Sequence, residues 1–72
     1  MEYTISTIWD SETAVWIATS VDIPGLVLES GSLDALMERV RGAIPELLAL
    51  NGSHENMISL LFKSERHDRV YA

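Results

Sequence analysis

The side chains with the most chemical reach in this sequence are its carboxylates, two histidines and two tryptophans. Two carboxylate pairs lie close in sequence, Asp10 with Glu12 and Asp22 with Glu29. Paired acids serve a glycosidase or a two-metal nuclease only where they converge in a cleft. A layer of one sheet and one helix built from 72 residues has little room for one. Asp10 and Glu12 also fall at a hairpin, where acids are ordinary turn residues. His54 lies in the polar run Ser53-His54-Glu55-Asn56 and His67 sits beside Asp68. Neither has metal-ligand spacing to another nitrogen or sulfur donor. No Gly-x-Ser-x-Gly and no glycine-rich phosphate loop occurs. Trp9, Trp16 and Tyr3 are candidates for a platform that stacks single-stranded nucleic acid. The lack of any basic residue before Arg39 argues against that use. The residues therefore point to a non-enzyme with no cofactor and no metal.

Length and composition set the frame for those side chains. The chain is one domain, and a domain this small has a margin of only a few kcal/mol. It is 47% hydrophobic and 22% charged, the balance of a folded globular chain. With no cysteine there is no disulfide to staple the core, so association with a copy or a partner is the expected remedy. The N-terminus lacks the pattern of a signal peptide and no run spans a bilayer, so a cytoplasmic location is the default. Net charge is −6, and it is uneven. All five bases (Arg39, Arg41, Lys63, Arg66, Arg69) lie past residue 38, while seven acids precede them. An acidic sheet half repels phosphates and suits a basic partner.

The elements that must position these groups are legible from periodicity. Tyr3 to Asp10 alternates as a strand, and Asp10-Ser11-Glu12-Thr13 is a hairpin-length polar turn. Val15 to Ser20 returns antiparallel, with Val15, Ile17 and Thr19 on one face and Ala14, Trp16 and Ala18 on the other. Asp22-Ile23-Pro24-Gly25 is a defined bend, and Leu26 to Glu29 is a short third strand. Ser32 is the expected N-cap of a helix whose stripe is Leu33, Leu36, Met37, Val40, Ile44, Leu47 and Leu48. Asn51-Gly52 ends it with a left-handed cap. Pro45 predicts a kink near Gly42 to Pro45, or else two short helices. Met57 to Lys63 is a fourth strand, placed parallel to the first by a right-handed crossover. Residues 1–63 form the domain and residues 64–72 a mixed-charge tail. One helix covers only one face of the sheet. The other face, carrying either Trp16 or Val15 and Ile17, is an interface candidate unless the tail folds back over it.

Trp9-Asp10, Ala14-Val15-Trp16-Ile17-Ala18-Thr19-Ser20, Asp22-Ile23-Pro24-Gly25-Leu26 and the helix through Asn51-Gly52 resemble the short stand-alone HicB-like proteins. The resemblance implies an α+β fold, a single β-β-β-α-β layer with one amphipathic helix on one face of a hairpin sheet, a degraded ribonuclease-H-like layer. It implies homo-oligomers, dimers first, formed through the sheets. It also implies an antitoxin-type domain that masks a small basic RNA-cleaving toxin. Full-length HicB proteins carry a C-terminal DNA-binding module. Here only a short tail follows residue 63, so no direct nucleic-acid contact and no membrane contact is expected. The residues expected to meet a partner are Trp9, Asp10, Trp16, Asp22 and Glu29. The alternative is a stand-alone homo-oligomer with a structural or small-ligand role.

Overall fold

The computed structural model describes residues 1–72. The elements run β1 (Glu2–Asp10), β2 (Val15–Thr19), β3 (Val27–Ser30), α1 (Leu33–Leu50) and β4 (Ser59–Glu65). They form one four-stranded sheet in the order β3-β2-β1-β4. β1 pairs antiparallel with β2, placing Ile8 opposite Ile17 and Trp9 opposite Trp16. β2 pairs antiparallel with β3. β4 returns through the helical crossover and lies parallel to β1, with Tyr3 opposite Leu60 and Ile5 opposite Phe62. The α+β, β-β-β-α-β layout expected from the sequence is therefore the observed one.

Strand alternation divides the sheet into two chemically different faces. The face under the helix carries Tyr3, Ile5 and Thr7 of β1, Ala18 of β2 and Leu28 of β3. Leu60 and Phe62 of β4 complete it, half-buried. The helix contributes Leu36, Val40, Ile44 and Leu48, a four-residue repeat that keeps one stripe on the sheet. α1 runs over β2 and β3, so the β4 side of this face is the less covered one.

Both ends of the helix are capped. Ser32 Oγ accepts the Ala35 N–H at 3.3 Å, satisfying one of the unpaired N–H groups of the first turn. At the other end Gly52 has φ +82°, its N–H donates to the Ala49 carbonyl, and the Ser53 N–H donates to the Leu48 carbonyl at 2.8 Å. That pair of bonds is a Schellman cap, and Gly52 rather than Asn51 takes the left-handed position. The helix is continuous through Pro45, so the alternative of two short helices is not realised. Pro45 removes one backbone bond and lies exposed. The buried stripe runs past it on both sides, Val40 and Ile44 before and Leu48 after, and this burial holds the helix together.

Two turns set the hairpin and the bend. Asp10 Oδ1 accepts the Glu12 N–H at 3.1 Å and Asp10 Oδ2 accepts the Thr13 hydroxyl at 2.8 Å. Ala14 closes this turn with φ 56°, a left-handed geometry that L-residues other than glycine and asparagine rarely take. In the Ile23-Pro24-Gly25-Leu26 bend the Leu26 N–H reaches the Ile23 carbonyl at 3.3 Å, and Gly25 has φ +87°. Proline followed by a positive-φ glycine is the signature of a type II turn. It turns Ile23 and Leu26 inward, and both are buried.

Candidate protein-binding face

The five residues expected at an interface do not gather on one surface. Trp9 and Trp16 lie on the helix side of the sheet, since they share the alternation of Thr7 and Ala18. Their rings meet edge to face with centroids 5.5 Å apart. The Arg66 guanidinium sits 4.3 Å from the centre of the Trp9 ring, a cation–π contact. The pair thus closes the end of the core, each ring half-buried, rather than presenting a flat aromatic surface.

Asp22 has a structural partner. Register pairing of β1 with β2 stops at Ser6 opposite Thr19. Thr4, two residues further out, would be left with its N–H and carbonyl unpaired on that side. Asp22 Oδ2 accepts the Thr4 N–H at 2.7 Å, and Ser20 Oγ donates to the Thr4 carbonyl at 2.6 Å. The Asp22 N–H in turn donates to Ser20 Oγ. Two side chains therefore continue the ladder where the backbone of β2 has already turned away. Asp10 is engaged in the hairpin as described above. Only Glu29, on the outer face of β3 opposite Ile17, leaves its carboxylate free for another molecule, while its carbonyl accepts Arg39 Nη1 at 2.6 Å.

The face away from the helix is the uncovered one. It carries Val15 and Ile17 of β2, Ile8 of β1, Val27 of β3 and Leu61 of β4. Ile8 is 47% exposed and Val27 70%. The tail does not fold over them, and its own Val70 and Tyr71 stand free. Of the two faces the sequence left open, the outer one is thus Val15 and Ile17. The same alternation that buries Tyr3 and Ile5 fixes Ile8 outward, and that signal was available in the sequence. Acids frame this surface, with Asp10, Glu29 and Glu65 on the outward alternation and Lys63 the one base among them.

A second polar cluster lies at the opposite end of the core. The Tyr3 hydroxyl donates to Glu55 Oε2, which also accepts the Ser53 hydroxyl at 3.2 Å. The hydrogen bond to Glu55, with burial second, raises the Tyr3 phenol above its ordinary range. The bond ties the helix-to-β4 loop to the first residues of β1. Beside it, Pro45, Ala49, His54 and Asn56 help line a shallow hollow of about 220 Å³. No three histidine or acidic side chains converge as a metal cage would require.

This architecture defines a small α+β domain, one mixed four-stranded sheet with a single helix on one face. Within that class, the chain belongs to the family described as domain of unknown function DUF1902, whose sequence profile matches residues 2–72. Among solved structures it is similar to the hypothetical protein TTHA1013 of the extremely thermophilic bacterium Thermus thermophilus. The two are 32% identical, with a TM-score of 0.83 over 99% of this chain and 100% of the other. No curated protein matches the chain. No helix is long and apolar enough to cross a membrane.

Proposed function

We propose that this chain is a HicB-like, antitoxin-type protein-binding domain that masks a small basic RNA-cleaving toxin. The observation that carries the reading is the uncovered sheet face, an apolar centre at Ile8 and Ile17 framed by Asp10, Glu29 and Glu65. Apolar surface at the centre of such a patch supplies the burial, and the acids around it select a basic partner and speed its encounter. The reading is non-enzymatic. Asp10 and Asp22, the acids a hydrolytic site would draw on, accept backbone N–H groups instead, Asp10 that of Glu12 in the hairpin turn and Asp22 that of Thr4 in β1.

The test is co-expression with the product of the neighbouring gene. A co-purifying complex and relief of the partner's growth arrest are expected. Ile17→Lys places a base at the centre of the face and is expected to abolish both. Absence of a complex, or a complex indifferent to Ile17→Lys, would overturn the reading.

A further inference from the structure

We propose that Asn51 is a self-modifying site, converted without an enzyme to aspartate and isoaspartate by attack of the Gly52 backbone nitrogen on its side-chain amide. The inference goes beyond partner binding and does not rest on it, because α1 lies on the other side of the sheet from the uncovered face.

The chain holds only two side-chain amides, Asn51 and Asn56, and no glutamine. Asn51 alone precedes a glycine, whose nitrogen has no side chain beside it to hinder its approach. Both residues of the pair are exposed, and the space at Gly52 is open, with no atom within 4 Å of the place a Cβ would take. Asparagine is among the thermolabile residues, and this is the setting in which it is most so. The reaction balances with water alone. As hydroxide takes the Gly52 N–H proton, the nitrogen bonds to Asn51 Cγ, the Cγ–Nδ2 bond breaks and ammonia leaves with a proton. Water then opens the cyclic imide at one of its two carbonyl carbons. Breaking the bond from the nitrogen to Cγ gives aspartate. Breaking its bond to the main-chain carbonyl carbon gives isoaspartate, in which the chain runs through Cβ and Cγ.

The helix cap sets the rate. Asn51 has ψ 11°, which turns the Gly52 nitrogen away from the Asn51 side chain. Ring closure therefore needs the peptide between them to rotate. Two bonds resist, the Gly52 N–H to the Ala49 carbonyl at 3.1 Å and the Ser53 N–H to the Leu48 carbonyl at 2.8 Å. They close a helix terminus, the part of an element that opens at least cost.

The product holds that cap less well. Either acid adds a negative charge at the negative end of the helix dipole, where no basic side chain lies in the last turn to offset it. Isoaspartate also lengthens the main chain by a methylene, which moves the Gly52 and Ser53 N–H groups off their carbonyls. Ser53 is the next link, its hydroxyl bonded to Glu55, which accepts the Tyr3 hydroxyl of β1. Modification thus loosens the tie between the helix-to-β4 loop and β1, and the domain ages from this end.

Peptide mapping by mass spectrometry tests this on the full chain held at mildly alkaline pH, beside the free peptide of residues 48–55 and the Asn51→Gln chain. Conversion at Asn51 and not at Asn56 is expected, on the order of tenfold slower than in the peptide and rising to the peptide's rate in denaturing urea, where the cap no longer has to open. Isoaspartate is scored by enzymatic methylation. The thermal midpoint of the parent chain should fall as Asn51 converts, while that of Asn51→Gln stays constant over the same time. No acid at Asn51 once the peptide has fully converted, equal conversion at Asn56, or a midpoint that holds as Asn51 converts would each overturn the proposal.

Discussion

Trp9 and Trp16 face each other across β1 and β2, ring to ring at 5.5 Å, on the side of the sheet that holds the core. Two aromatic residues that composition alone would place at an interface are thus the plug at one end of the domain. Trp16→Ala is expected to destabilise the monomer by about 2–3 kcal/mol, below the ~3–5 kcal/mol of a fully buried aromatic because the ring is half-exposed. Urea denaturation measures it. Partner binding per molecule of folded protein should be unchanged.

Ala14 holds a left-handed backbone at the end of the hairpin turn. That geometry costs an L-residue roughly 1–2 kcal/mol, while glycine enters it freely at a smaller entropic cost. Ala14→Gly is therefore expected to raise stability by about 0.5 kcal/mol, read as a higher denaturation midpoint with an unchanged slope.

Gly52 is the opposite case. A Cβ added there meets nothing within 4 Å, so the positive φ is the whole reason for glycine. Gly52→Ala is expected to cost about 1 kcal/mol through the strained cap alone. Gly52→Asn, which tolerates the same region, should cost less.

Asp22→Ala removes the acceptor for the Thr4 N–H. A loss of about 1 kcal/mol is expected, since water reaches the exposed end of this ladder and compensates in part. Amide exchange should accelerate at Thr4 before it does at Ile5 or Thr7.

The Tyr3 hydroxyl donates a hydrogen bond to Glu55, and that bond raises its phenol above the ordinary tyrosine range. A group whose folded pKa is raised contributes stability that is complete below its unfolded value, about 10, and is lost as pH climbs through the folded value. Stability should therefore fall above about pH 10. Tyr3→Phe should remove that part of the alkaline loss, as followed by thermal melts from neutral to alkaline pH.

Much of this fold was legible in the sequence. The alternation of Tyr3, Ile5 and Thr7, the Ser32 cap, the helical stripe and the parallel crossover all rest on local signals that burial reinforces. Bounds shifted by one or two residues. β1 begins at Glu2, β3 runs to Ser30, and β4 runs from Ser59 to Glu65, two residues past the expected boundary at Lys63. The side on which Trp16 sits was not legible, because both faces of β2 carry apolar weight and only the path of α1 decides between them. The role of Asp22 was equally hidden. It depends on the strand ending one residue earlier than Ser20, which frees both side chains to reach back to Thr4. Whether the helix would continue through Pro45 or split into two was also not legible, because backbone chemistry alone does not weigh the stripe that packs on either side of it.

β1 occupies the interior of the sheet, and its neighbour β4 is made only after the helix, with Glu2 paired to Ser59. Contacts that distant in sequence are slow to form, because a long loop must close before they contribute. During synthesis β1, β2 and β3 can meet as a hairpin meander, yet one flank of β1 stays bare until residues 59–65 leave the ribosome. Until β4 emerges, the nascent chain thus leaves the Tyr3-Thr4-Ile5-Ser6-Thr7-Ile8 edge unpaired on that side. A chaperone that shields extended apolar segments would have its longest opportunity there.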